Sequence, residues 1–141
     1  MAAKCGMTHI DPPISDKAVA AVFAGFPRPA RDGTLLLRSI IFEIADRDER
    51  VGGVSETLKW RQPSYLPIAK NVGTPIRLGV PKAGGFALFV HCQTTVINEF
   101  RTLFSGDFEF DGNRAVLFDS KASIEIEKIT LLINRALTYR L

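Results

Sequence analysis

The apolar side chains of this chain change their spacing part-way along it, and that change limits the folds open to it. Up to Gly52 they recur every third or fourth position. From Ser55 the spacing changes towards every second position, as in Leu58 and Trp60 and in Ile76, Leu78 and Val80, and helical spacing returns near Thr94 and again near Ser123. Helices and strands are therefore segregated in order, which predicts an α+β domain with an antiparallel sheet rather than a βαβ repeat. The expected order is two helices, three strands, a helix, a hairpin and a helix, ααβββαββα, with about five strands. At 141 residues there is room for one domain. It is expected to span 15–141, after a flexible segment 1–14 that contains Asp11-Pro12-Pro13.

Local signals place the elements. Ser15 is the expected cap of a first helix carrying Ala18, Val19, Val22, Phe23 and Phe26, which Gly25 and Pro27 end. A second helix, starting between Pro29 and Thr34, carries Leu36, Leu37, Ile40, Ile41 and Ile44 on one face. Arg38, Glu43, Arg47 and Glu49 form its polar side, and Gly52-Gly53 stops it. Glu56 to Trp60 reads as a strand that Pro63 breaks, with Leu58 and Trp60 on one face. Thr74–Val80 and Phe86–His91 follow as an antiparallel pair around Gly84-Gly85. Thr94 or Thr95 caps a third helix with Val96, Ile97, Phe100 and Phe104 along its stripe. Asp111-Gly112 predicts a two-residue hairpin turn that sets Glu109 opposite Arg114 and buries Phe108, Phe110, Ala115 and Leu117 together. A last helix from Ser123 carries Ile126, Ile129, Ile133, Ala136 and Leu137. With helices on one sheet face, the other is left partly open, and a ligand or partner is expected there.

Charge and cysteine content narrow the function classes. Eighteen Lys and Arg against 15 Asp and Glu give a net charge of +3, spread as singles and pairs without a basic run or interleaved aromatics. That argues against a nucleic-acid platform. Met1 to Pro13 holds one lysine and no 7–15-residue apolar stretch, so no signal peptide is expected; no segment approaches the roughly 20 apolar residues of a membrane span, and Cys5 and Cys92 form no CxxC, so a reducing cytoplasm is expected. His91 and Cys92 are neighbours on a strand and point apart, which suits no shared metal; Cys5 and His9 lie in the loose start. Glu43, Asp46 and Glu49 could make an oxygen-rich patch for a hard or borderline cation, with Arg47 and Arg50 among them as competing partners. Neither a nucleophile motif nor a phosphate-cradling glycine loop is present.

The densest chemistry lies in Glu56-Thr57-Leu58-Lys59-Trp60-Arg61-Gln62-Pro63-Ser64-Tyr65, which holds the chain's only tryptophan. One reading makes Trp60 and Tyr65 ordinary core and rim aromatics. The other makes them walls of a site to which Glu56, Lys59 and Gln62 bring polar contacts. Arg77 and His91, on neighbouring strands, complete the candidate ligand-binding set. An enzymatic alternative places a cleft at His91.

At this stretch the sequence resembles the YdhG-like domains of unknown function. Glu56-Thr57-Leu58-Lys59-Trp60 and Gln62-Pro63-Ser64-Tyr65 carry the likeness. Further support comes from Pro75-Ile76-Arg77-Leu78-Gly79, from the run Ala87 to Thr94, from Phe100-Arg101 and from Gly112-Asn113-Arg114-Ala115. It extends over roughly residues 15 to 140. The resemblance implies a helix-flanked antiparallel sheet near frataxin in architecture. Most members have no assigned activity, and one branch is described as an intracellular iron chaperone. Arg61 stands where relatives often carry glycine. Together these readings lead to a cytoplasmic, non-catalytic module for a small molecule or protein, needing no cofactor. The alternative is iron held by Glu43, Asp46 and Glu49.

Overall fold

The structure, a computed structural model, describes residues 12–141. Cys5, His9 and most of the expected N-terminal segment lie outside the described residues. Four α-helices, a 3₁₀ turn and six strands follow in order: α1 (Lys17–Gly25), α2 (Arg28–Arg47), β1 (Val54–Lys59), β2 (Gln62–Pro67), β3 (Ile76–Gly79), β4 (Phe86–Val90), α3 (Val96–Leu103), β5 (Glu109–Asp111), β6 (Ala115–Phe118), the 3₁₀ turn (Lys121–Ser123) and α4 (Ile126–Leu137). The strands form one antiparallel sheet in the order β1-β2-β3-β4-β6-β5. The α+β class therefore stands, with six strands where about five were expected.

The additional strand comes from Pro63, which does not end the ladder. Lys59 pairs with Gln62 around a two-residue turn, so Leu58–Pro63 is a non-hydrogen-bonded pair in which β1 asks nothing of the missing N–H. Two by two along the strand, Pro67 opposite Val54 falls in the same class of position. On its other side β2 pairs with β3 only from Ser64, one residue past the proline.

Three other expectations change. Asp16, not Ser15, caps α1: its Oδ1 accepts from the amides of Ala18 at 2.8 Å and Val19 at 3.1 Å. α2 stops at Arg47, so Gly52 and Gly53, both at positive φ, shape the turn beyond it rather than the helix end. The β5–β6 loop has three residues, Gly112 to Arg114, instead of two. Phe110 thereby faces Val116, and Glu109 faces Leu117. Arg114 pairs with Asp111 at 3.0 Å rather than with Glu109. The shift sets Phe108 and Phe110 against Phe100, at ring separations of 5.0 and 6.2 Å, and Phe118 against Phe108 at 6.3 Å. Burial of that aromatic group decides the register over the shorter turn. Ala115 and Leu117, expected beside them, turn to the opposite face, and Val116 and Phe118 take their place.

The core lies between α2, α4 and one face of the sheet, where Leu37, Ile41, Ile76, Leu78, Leu88, Ile129 and Ile133 are fully buried. Leu132 joins them, whereas Ile126, expected in the stripe, is half exposed. α2 comes so close to β4 that a Cβ at Gly33 would sit 2.1 Å from Cζ of Phe86, a ring held by stacking on Phe118 at 5.2 Å. Gly33→Ala is therefore expected to destabilise the fold by about 1–3 kcal/mol, even though alanine is the better helix former. Urea unfolding of the two proteins checks this.

Candidate functional site

Strand alternation sorts the Glu56 to Tyr65 segment onto two faces. Glu56, Leu58 and Tyr65 point to the helices; Thr57, Lys59, Gln62, Ser64 and Leu66 point away from them. On the helix side, Arg38 is 1% exposed, contrary to its expected place on the polar side of α2. Its Nε donates to Glu56 Oε2 at 2.5 Å and its Nη2 to Oε1 at 3.0 Å, a two-pronged ion pair joining α2 to β1. The Tyr65 hydroxyl donates to Oε2 at 2.7 Å. Arg38 also donates to the carbonyls of Pro12 and Pro13, tying the start of the described chain to the same group. Its guanidinium lies 4.6 Å from the Phe42 ring centre, and Phe42 meets Tyr65 edge-on at 5.8 Å.

Glu56 and Tyr65, two of the expected ligand contacts, are thus engaged inside the protein. Burial, and then the hydrogen bond to Glu56, raise the Tyr65 pKa far above its ordinary value of 10.0. Because the unfolded phenol ionises near pH 10 while the folded one keeps its proton, stability is fully present below that pH and is lost as pH rises above it. Wild-type stability should fall by up to about 1.4 kcal/mol per pH unit above about pH 10. Tyr65→Phe should be less stable at neutral pH by about 1–3 kcal/mol and show a shallower alkaline decline. Urea midpoints measured against pH for both proteins separate the two effects.

The other face carries no helix. One row of residues crosses it through all six strands: Thr57, Ser64, Arg77, Phe89, Ala115 and Asp111. Small side chains at Ser64, Gly79, Ala87 and Ala115 are covered by their larger neighbours, and Gln62, Arg77, Phe89 and Leu117 are half-buried. Arg77 Nη1 donates to Gln62 Oε1 at 2.6 Å, and its guanidinium lies 5.5 Å from the ring centre of Phe89. Gln62 folds over the glycine beside it, where a Cβ on Gly79 would lie 2.4 Å from Nε2. Leu66 is 44% exposed on the same face.

Trp60 and Arg61 are the two turn residues between β1 and β2, at φ 55° and 63°. Both sit in the left-handed region, as a type I′ turn requires, although neither is the Asn or Gly such turns favour. Trp60 is 85% exposed, so it neither shares a strand face with Glu56 nor packs with Tyr65. Lys59 and Arg61 are exposed beside it. His91, just beyond β4, is exposed, and its Nδ1 accepts the amide N–H of Gln93 at 3.1 Å. The structure thus brings Lys59, Gln62 and Arg77 to one face of the sheet, with Trp60 in the turn at its end. Glu56 and Tyr65 lie beneath it, and His91 lies apart.

Glu43 and Asp46 are exposed on α2, and Glu49 lies past its end. Among the described residues no three His, Cys, Asp or Glu side chains form a metal-holding group. Two clefts lie on the helical side. One of about 520 Å³ is lined by Arg47, Asp48, Glu49 and Arg50 with Thr130 and Asn134; the other, about 450 Å³, is lined by Arg28, Asp32 and Lys121. Neither includes His91. Among the described residues no helix is long and apolar enough to cross a membrane.

Periodicity missed Arg38, since it flanks the apolar stripe. Its signal was Glu56, which shares a strand face with Leu58 and needs a cation inside. Phe89 and Leu66 were missed as members of the open face. Comparison with known protein families, curated proteins and solved structures finds no match for this chain.

Proposed function

We propose that this chain is a YdhG-like, non-catalytic binding module of the cytoplasm, and that its docking surface is the helix-free sheet face with Trp60 at the rim. The observation that carries this reading is Trp60 itself: a large indole held almost fully in solvent by a turn in which two non-glycine residues take left-handed backbone. Such a turn costs stability, on the order of 1–2 kcal/mol per residue. Asparagine and glycine there would avoid the cost, and a chain that departs from that local rule at an exposed aromatic is following a demand other than folding. The polar groups nearby support binding rather than catalysis. Glu56 and Tyr65, the groups suited to proton transfer, are engaged inside the protein, Glu56 by Arg38 and Tyr65 by Glu56. Those left in reach of a partner, Lys59, Gln62 and Arg77, are donors and a neutral amide, suited to recognition.

The double variant W60N/R61G should be more stable than wild type by about 1–2 kcal/mol and should bind less well. A mixed collection of short random-sequence peptides and small organic fragments, screened against the labelled domain by amide chemical shifts, checks the second half. Hits are expected to move the amides of Lys59, Gln62, Arg77 and Phe89 and to be weakened in the double variant. Hits gathered instead in the cleft between α2 and α4, or a double variant less stable than wild type, would contradict the proposal.

A further inference from the structure

The open face has an uneven charge, and its unevenness specifies a partner. On β1, β2 and β3 the residues pointing away from the helices are Ser55, Thr57, Lys59, Gln62, Ser64, Leu66, Arg77 and Gly79, with Arg61 at the turn and no acidic side chain among them. The acids of this face, Glu109 and Asp111, lie at the far edge, and Asp111 is already paired with Arg114. Arg77 is the centre of the basic half. Among the described residues no carboxylate lies within ion-pair distance of it, and its side-chain bond goes to a neutral amide. A half-buried guanidinium without a counter-charge has given up water and received little for it. Burial, and then the proximity of Arg114, lower its pKa, as expected for a cation in that position. Phe89 beside it and Leu66 farther along β2 supply apolar surface on this face, with Trp60 exposed at the β1–β2 turn.

Resting on the binding reading above, we infer that the occupant of this face is an acidic peptide segment of a partner protein, with a carboxylate received by Arg77 and flanking apolar side chains laid against Phe89, Leu66 and Trp60. The face is broad and shallow: six strands span roughly 24 Å at the usual strand spacing. The clefts of about 520 and 450 Å³ lie on the helical side, and small molecules favour such concavity over a flat sheet face. Exposed Trp and a central Arg are the residues that carry most of the energy in protein interfaces. A single-stranded nucleic acid fits less well. The strands offer one aromatic ring, Phe89, already covered by Arg77, where base stacking needs several open rings, and Glu109 and Asp111 would repel phosphates.

The test uses the whole chain at low salt, reading emission from Trp60, the only tryptophan, together with amide shifts. The probes are a glutamate-rich octapeptide with a central leucine, its glutamine counterpart, and oligothymidylate. The acidic peptide should saturate, weaken as salt is raised, bind about tenfold or more tightly than the glutamine peptide, and shift Ser64, Arg77, Phe89 and Ala115. Arg77→Gln should lower its affinity about tenfold. Lys59→Glu, at an exposed site, should lower it as well, and serves should Arg77→Gln fail to fold. Equal binding of both peptides, tighter binding of the oligonucleotide, or affinity indifferent to both substitutions overturns the inference. If neither peptide binds while fragments or other peptides still mark the open face, the acidic partner is refuted and the binding surface stands.

Discussion

The arrangement of this domain depends on a buried ion pair between Arg38 of α2 and Glu56 of β1. Neither charge could be left inside alone: an uncompensated buried ion costs several kcal/mol, on the order of 3–5 when one partner is removed. Here the cost is met by two hydrogen bonds between the pair, a third from Tyr65, and the Pro12 and Pro13 carbonyls. The pair fixes which face of β1 is inward and therefore, through a period of two, which face of β2 and β3 looks out. Well-packed apolar groups would suit the core as well; what an ion pair adds is direction, because only one register of β1 brings a carboxylate to Arg38.

From that choice the functional face follows. With Glu56 and Tyr65 drawn inward, the residues between and beside them are turned out, and the hairpin that joins the two strands carries Trp60 and Arg61 into solvent. The same segment that anchors the sheet to its helices thus also builds the rim of the open face. A tight motif of both charges and two aromatics is divided by strand alternation into a structural half and an exposed half. Arg77, whose strand neighbours are Ser64 on one side and Phe89 on the other, sits where the exposed half continues across the sheet.

Much of this was legible in the sequence, and the failures have physical causes. The helices and the β3–β4 pair followed from spacing alone, because each buries one whole stripe or one alternate set of side chains. Pro63 misled because a proline is harmful to a strand only where its partner needs an N–H, and which partner it faces is a matter of register, not sequence. Asp111-Gly112 misled because the aromatic group around Phe100 outweighs local turn preference. Trp60 was expected on a strand face because nothing in a Trp-Arg pair announces a type I′ turn. Arg38 reads as solvent-facing from sequence because charge is ordinarily exposed, and the inward carboxylate that claims it lies eighteen residues away.

The most direct measurement is a double-mutant cycle on the ion pair, with Arg38→Met, Glu56→Leu and the two combined, unfolded in urea. Each single change should cost about 3–5 kcal/mol, and the combined change should cost well below their sum, since both charges are then gone. Single costs that simply add would show that the two side chains do not depend on one another, and would contradict the account.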